Sequence, residues 1–488
     1  MVLQSRPVTE IVSCAMIACL PVCFRLLFSV LILGAGMAQV EVHAAPSLQF
    51  TNIAPSTGGL RLDWTSVGAG TNYTVQSREV LGENGLWVLP AEQAWPIPLT
   101  QWIDGRPITN APTRYYRVLA VPAAQRGRLM SVSAPTTYTK AIIGLIFAGQ
   151  GIPITPQYDV TTRDVVYETI TPDGARTIAS GTLALPVGRS GSLALASYQH
   201  GTIPSTNDAP GQEGFVGVAF ATSGYAAVVP NFLGLGMTSS GLQPYHHARS
   251  EATACVDMLR AARSICATNG TALNGQIFLA GYSHGGHATM ALLRELEMFH
   301  TNEFTVTACS PMAGAYDLSG VSAADFLSNR PQPNPYYFAL IVAAYQSVYK
   351  LAPTLADLFT PPYNTTLPPL LTGNNTGAEI NALMPPRTVD ILKPQYLTAF
   401  LASTNQPFRL ALRDNDLYRW KPRSPLRMFH CMGDMDVLFA NSQVTLASFL
   451  QRGASQVQLI DPMPTADHGG CALPSLLNAK AWFDTLRQ

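Results

Sequence analysis

The stretch Gly281-Tyr-Ser-His-Gly285 fits G-x-S-x-G. Ahead of it, Ile277-Phe-Leu-Ala280 is an uninterrupted apolar run, the pattern of a strand buried on both faces. Behind it, Ala288, Leu292 and Leu296 recur at helical spacing. A strand, a sharp turn and a helix are what this motif needs to lift a serine hydroxyl out of a sheet. Glycines flank the serine because so tight a turn leaves no room for side chains. Ser283 is therefore read as a nucleophile and not as a structural turn residue. A serine hydroxyl attacks poorly at neutral pH unless a base takes its proton and a third group fixes the base. Phe429-His-Cys-Met-Gly-Asp-Met-Asp-Val437 ends one later apolar run and offers Asp434 and Asp436. Ile460-Asp-Pro-Met-Pro-Thr-Ala-Asp-His468 ends the next and offers His468. Serine, acid and histidine in that order, each just after a strand, point to acyl transfer. That chemistry also needs donors aimed at a developing oxyanion. The N–H of His284 is one. The second comes from His200-Gly201-Thr202, where Gly201, Thr202 and His200 remain alternatives.

The elements that would carry these residues follow a regular order. Val165-Val-Tyr-Glu-Thr-Ile170 and Ala179-Ser-Gly-Thr-Leu-Ala-Leu185 flank the turn signal Pro172-Asp-Gly174. Leu193 to Gln199 and Tyr225 to Pro230 read as buried strands, and Phe215 to Ser223 as the helix between them. Ala248 to Thr268 reads as a long helix ahead of the Ser283 strand. Phe304 to Cys309, Leu426 to Phe429 and Val457 to Ile460 continue the strands, and Leu473 to Leu486 closes the chain as a helix. Repeated strand–helix units predict an α/β fold, a mostly parallel sheet with helices on both faces. Residues 318–422, rich in Pro, Tyr and Leu, break this rhythm and are expected to form an inserted helical cap around Tyr336-Tyr-Phe-Ala-Leu-Ile. Its Tyr336, Tyr337, Phe338, Leu340, Ile341 and Tyr345 suit either an apolar acyl or aryl pocket or a plain helix core.

Residues 46–122 differ. Short runs at Leu48, Leu60–Trp64, Tyr73–Gln76, Trp102 and Tyr115–Leu119, separated by Gly, Asn and Pro, predict a small β-sandwich. Trp64 and Tyr116 resemble the core aromatics of fibronectin type III domains. The segment is read as a structural appendage, with contact to a polymer or surface as the functional alternative. Residues 123–157 are expected to be a linker with a helix, and 158–488 the catalytic domain.

The catalytic part resembles the secretory lipase and esterase branch of the α/β-hydrolases. The resemblance rests on Ser197-Tyr-Gln-His-Gly-Thr202, Asn231-Phe-Leu-Gly-Leu-Gly236, Gly281-Tyr-Ser-His-Gly-Gly-His287, and His430-Cys-Met-Gly-Asp434 followed by Ala440-Asn-Ser-Gln443. It departs from that family's pattern at Cys431, where Gly is usual, and at Leu438, where Pro is common. It implies a serine ester hydrolase with Ser283 as nucleophile and His468 as base. The segment match favours Asp434 as the acid, and a one-gap shift keeps Asp436 as the alternative. No cofactor is implied, and the substrate would be a small-molecule, lipid or aryl ester. A feruloyl- or tannase-type aryl esterase, a peptidase or an acyltransferase could use the same triad. A non-catalytic binding protein would have little reason to hold all these groups together. If the triad forms, its acid and base loops lie side by side. Cys431 and Cys471, each three residues from a triad member, would then be placed for a disulfide, with two free thiols as the alternative.

Bulk properties narrow the class. The chain has 488 residues and a formal net charge of zero, with no basic stripe or acidic tail, so nothing argues for nucleic acid. Arg25 followed by Leu26-Leu-Phe-Ser-Val-Leu-Ile-Leu-Gly-Ala, then Val42-His-Ala44, reads as a signal peptide over residues 1–44, and hence a secreted or periplasmic protein. No later run is long and apolar enough to span a bilayer. Cleavage would remove Cys14, Cys19 and Cys23 and leave five of the eight cysteines. Cys255 and Cys266 share one expected helix and would sit about 16 Å apart, out of disulfide reach. No C-x-x-C, H-E-x-x-H or similar spacing suggests a metal.

Overall fold

The structure is a computed structural model that describes residues 10–13, 47–79, 85–106, 113–209, 213–238 and 241–488. Apart from residues 10–13, the expected signal peptide lies outside the described residues. The chain divides into two units, Met1–Glu83 with Trp87–Ala123, and Asn84–Leu86 with Ala124–Gln488.

The first unit is built from antiparallel strands. They are β1 (Glu10–Ser13), β2 (Phe50–Ser56), β3 (Gly59–Trp64), β4 (Thr71–Arg78), β5 (Gln101–Asp104) and β6 (Tyr115–Pro122). One sheet has the order β1-β6-β4 and the other β2-β3-β5. Leu62 and Trp64 alternate with the more exposed Arg61 and Asp63, which is how a strand with one buried face reads. Both sheets contribute to one apolar cluster containing Leu62, Trp64, Tyr73, Val75, Tyr116 and Val118.

The second unit begins with β7 (Leu129–Val132), β8 (Thr136–Tyr138) and α1 (Lys140–Gly149). Residues 123–157 are therefore more than a linker with a helix. β7 and β8 both pair with the long β9 (Val160–Ile170) and extend the sheet. At four and three residues they are too short to show a period in sequence. Then come β10 (Arg176–Pro186), β11 (Leu193–Gln199), α2 (Gly214–Thr222), β12 (Ala226–Pro230), α3 (Ala248–Thr268), β13 (Leu273–Tyr282), α4 (His284–Phe299) and β14 (Val306–Met312). An insertion follows. It carries α5 (Ala323–Phe326), α6 (Tyr336–Tyr349), α7 (Tyr363–Thr366), α8 (Gly377–Asn381), α9 (Pro394–Ala402) and α10 (Pro407–Asp414). Several of its aromatics are core. Phe338 and Tyr345 of α6 both pack on Phe408 of α10 at 6.2 Å between ring centres. The sheet resumes with β15 (Leu426–Phe429), α11 (Ala440–Gln451), β16 (Val457–Ile460) and α12 (His468–Leu486). This last helix starts five residues earlier than its apolar periodicity predicts.

The strand order is β16-β15-β14-β13-β11-β12-β10-β9-β7, with β8 also on β9. Pairing is parallel from β12 across β11 to β16 and antiparallel from β10 outward. Continuous apolar runs arise because successive residues bury on opposite faces of this sheet. Leu193, Leu195, Ile277 and Leu279 enter a cluster with Val256 and Leu259 of α3 and Leu292 and Leu296 of α4. Ala194, Ala196, Phe278 and Ala280 enter a second cluster with Phe220 of α2 and Phe483 of α12.

Candidate active site

β13 ends at Tyr282 and α4 begins at His284, so Ser283 alone makes the turn between them. Its backbone sits at φ 60° and ψ −122°, in a region that costs a non-glycine residue about 1–3 kcal/mol. Packing enforces this conformation. The Ser283 N–H donates to Met312 O of the neighbouring β14 at 2.9 Å. A Cβ on Gly285 would run into Gln199 O, and one on Gly286 into Met312 O. The glycines let α4 start directly against the ends of β11 and β14.

His468 is the first residue of α12. Asp467 caps that helix by accepting the Gly470 N–H at 2.7 Å, so its carboxylate is occupied as a cap. His468 Nε2 lies 2.8 Å from Ser283 Oγ, and its Nδ1 lies 2.6 Å from Asp434 Oδ2. A carboxylate against Nδ1 fixes the hydrogen there and leaves Nε2 as the acceptor for the serine hydroxyl. The Tyr282 hydroxyl donates to the His468 carbonyl at 2.6 Å, which ties the turn at Ser283 to the start of α12.

Asp434 is 1 % exposed. Its Oδ1 accepts the N–H groups of Asp436 and Val437, both at 2.9 Å. His430 Nε2 approaches Oδ2 at 3.3 Å and also donates to Val437 O at 2.9 Å, while its Nδ1 faces Ser442 Oγ at 2.8 Å. Burial opposes ionisation of Asp434, but hydrogen bonds from His430 and His468 outweigh it and hold the carboxyl well below its usual range. Burial likewise opposes a charged His468, and the hydrogen bond and charge of Asp434 outweigh it, so that pKa is raised. Asp436 faces elsewhere. It accepts from Asn334 Nδ2 at 3.0 Å and lines the cleft in front of Ser283. Of the two carboxylates, the structure sets Asp434 against His468. A disulfide joins Cys431 and Cys471, with Cα atoms 5.9 Å apart, between the loop of Asp434 and the first turn of α12. Cys255, Cys266 and Cys309 are free and buried.

The expected oxyanion donors divide. The His284 N–H opens α4, where helical amides lack an intrahelical acceptor. The Gly201 N–H is already engaged, donating to both carboxylate oxygens of Glu213 at 3.0 Å, so the structure corrects its assignment as a free donor. Tyr198 OH donates to the same carboxylate at 2.8 Å. The Thr202 hydroxyl meets Tyr245 OH at 2.6 Å. His200 turns its Nδ1 to Gly201 O at 2.8 Å. The roles of Glu213 and Tyr245 carry no sequence signal, because neither belongs to a spaced motif.

Behind the elbow, α3 presents Glu251 to the rings of His284 and His287. A charge on the face otherwise formed by Ala248, Ala252, Cys255 and Leu259 could have been noticed in sequence. His246, Glu251 and His287 offer donor atoms within 4.8 Å of one another. Three such ligands are one short of a closed zinc site. Both Glu251 oxygens and both His287 nitrogens are already hydrogen-bonded, the last through His287 Nε2 to Asn415 O at 3.2 Å. The cleft at Ser283 is lined by Tyr245, Phe326, Tyr337, Ile341 and Leu438, together with Asp325 and Asp436. Asp325 is held by Arg330.

Neither protein-family models nor curated protein sequences contain a match to this chain. Solved structures do. The rice cell wall degrading esterase LipA from Xanthomonas oryzae, in a ligand-bound form, superposes with a TM-score of 0.66 at 30% identity, over 74% of this chain and 100% of that one. The chain belongs to the esterase/lipase-like hydrolases. A Legionella pneumophila protein assigned provisionally as a hydrolase gives 0.69 at 26% identity, over 74% and 98% of the two chains. Candida antarctica lipase A in its closed state gives 0.56 at 15% identity, over 74% and 83%, which is a likeness of fold alone. The mixed sheet with its helices is accordingly an α/β-hydrolase-like fold, and ester hydrolysis is the activity class. Among the described residues no helix is long and apolar enough to cross a membrane.

Proposed function

We propose that this chain is an exported serine carboxylesterase or lipase that works through Ser283, His468 and Asp434. The observation that carries the reading is the hydrogen-bond chain from Ser283 Oγ through His468 to Asp434, at 2.8 and 2.6 Å, opening on an apolar and aromatic cleft. His468 Nε2 takes the serine proton as Oγ attacks the ester carbonyl. Asp434 stabilises the imidazolium so formed. The His284 amide, with a second donor from Thr202, receives the oxyanion. The imidazolium then protonates the leaving alcohol, an acyl-enzyme remains, and water activated by His468 releases the acid. Helices of the insertion act as a cap whose Phe326, Tyr337 and Ile341 meet an acyl or aryl group.

The first forty-four residues serve as an export signal, and cleavage there would remove β1. The remaining N-terminal strands form a fibronectin type III-like β-domain that either supports the enzyme or contacts a polymer. Tyr245 and Tyr337 beside Asp436, and the cell-wall-degrading activity in LipA's name, favour including aryl and plant-polymer esters beside plain acyl esters. The test is an ester panel graded by chain length and aryl character, with the matching amides, on the parent and on Ser283→Ala. Ester turnover in the parent and its loss in Ser283→Ala is expected. Full turnover in Ser283→Ala would refute the mechanism, and amides cleaved as fast as esters would make it a peptidase.

A further inference from the structure

The nucleophile turn is strained, and the amide that follows it belongs to the first turn of a helix, where no i−4 acceptor holds the backbone. An oxyanion donor nevertheless has to be fixed closely, since a misplacement of about 1 Å can cost about 100-fold in rate. The structure supplies a hold from behind. Glu251 of α3 is 1 % exposed. Its Oε1 accepts from His284 Nε2 at 2.7 Å and its Oε2 from His287 Nδ1 at 2.9 Å. His287 Nε2 lies 3.2 Å from Asn415 O, so both its ring nitrogens face oxygen atoms. The His284 ring is packed by Phe232 at 5.0 Å, Tyr245 at 4.5 Å and His246 at 4.8 Å between ring centres. One carboxylate therefore grips two successive positions on the same side of α4.

We propose that Glu251 is a positioning residue for ester hydrolysis, holding the first turn of α4 through the His284 and His287 rings so that the His284 amide meets the oxyanion. Burial opposes the charge on Glu251, and the two histidines outweigh it, so its carboxyl is held well below the usual range. The inference rests on the serine mechanism above, and its test separates the two.

Parent, Glu251→Gln and His284→Phe are compared with turnover expressed per serine titrated by a fluorophosphonate, so that misfolded protein drops out, and Ser283→Ala, which has no serine to titrate there, is compared with the parent per folded protein. His284→Phe keeps a ring in place and removes only the donor. In Glu251→Gln and His284→Phe, kcat per titrated serine is expected to fall about 10- to 100-fold with KM within about twofold, below or at the loss of a whole oxyanion donor. A boronic acid, whose adduct places an oxygen where the oxyanion forms, should weaken by the same factor. If Ser283→Ala is inactive but Glu251→Gln keeps the parent kcat per titrated serine, this inference alone fails. If Ser283→Ala retains turnover, the serine mechanism fails and takes this inference with it. Stoichiometric divalent metal in the purified parent, lost in Glu251→Gln, would also overturn the proposal, because the carboxylate would then be a ligand.

Discussion

Asp434 divides its four close polar contacts in two ways. The amides of Asp436 and Val437 fix one oxygen, and the rings of His430 and His468 share the other. The first pair sets where the carboxylate points; the second sets what it does. Asp434→Asn keeps the shape but can present an N–H to His468 Nδ1, which forces the wrong tautomer and leaves Nε2 carrying the hydrogen. A loss of about 10³- to 10⁴-fold in kcat is expected, read from steady-state rates. The pH profile gives the sign of the electrostatics. His468 must be neutral to act, and its folded pKa is raised, so the acid limb of kcat/KM should lie above the ordinary histidine value of about 6.5. Removing the carboxylate destabilises the imidazolium and should move that limb to lower pH. A limb that stays put in Asp434→Asn would mean another group sets it.

At the level of elements, the elbow works because three strands and one helix meet with no side chain between them. Gly285 lies against Gln199 O of β11 and Gly286 against Met312 O of β14. Gly285→Ala puts a methyl group against backbone that cannot swing aside. An overpacking cost of about 1–3 kcal/mol is expected, with loss of turnover beyond it, because the start of α4 has to back away from the strand. Urea unfolding together with kcat per titrated serine checks this; parent-like values of both would show that the contact relaxes freely. The same meeting of elements explains what sequence could show. Ile277–Ala280 is legible because it is buried on both faces, and Ser283, His468 and the pair Asp434/Asp436 because each follows such a run. Choosing Asp434 over Asp436 takes the loop path after β15, and Gly201's partner Glu213 joins it only through the chain's return before α2. Glu251 lay in plain view as a charge on an apolar helix face, but its targets are more than thirty residues away.

Across the whole molecule, the α/β-hydrolase-like class and the positions of Ser283, Asp434 and His468 after successive strands are readable from apolar runs and their punctuation, while β7 and β8 are not, since so short a strand is defined by its partner. The disulfide joins the loop of Asp434 to the first turn of α12, which holds His468. Its cysteines are 40 residues apart in sequence. Closing a loop of that size restricts the unfolded chain by roughly 4 kcal/mol on the chain-entropy account. Double replacement by serine should lower stability by up to that amount in denaturant titration, and an unchanged midpoint would show that the bond adds nothing. The bond also has a consequence for when in its lifetime the enzyme becomes dangerous. Thiols in a reducing cytoplasm do not pair, so a newly made chain carries its nucleophile before its acid and base loops are tied together. Protein purified reduced from such a compartment should show low turnover per titrated serine, rising on oxidation with glutathione disulfide. Under the export proposed above, a hydrolase able to attack lipid esters would thereby stay dormant until it reaches an oxidising compartment.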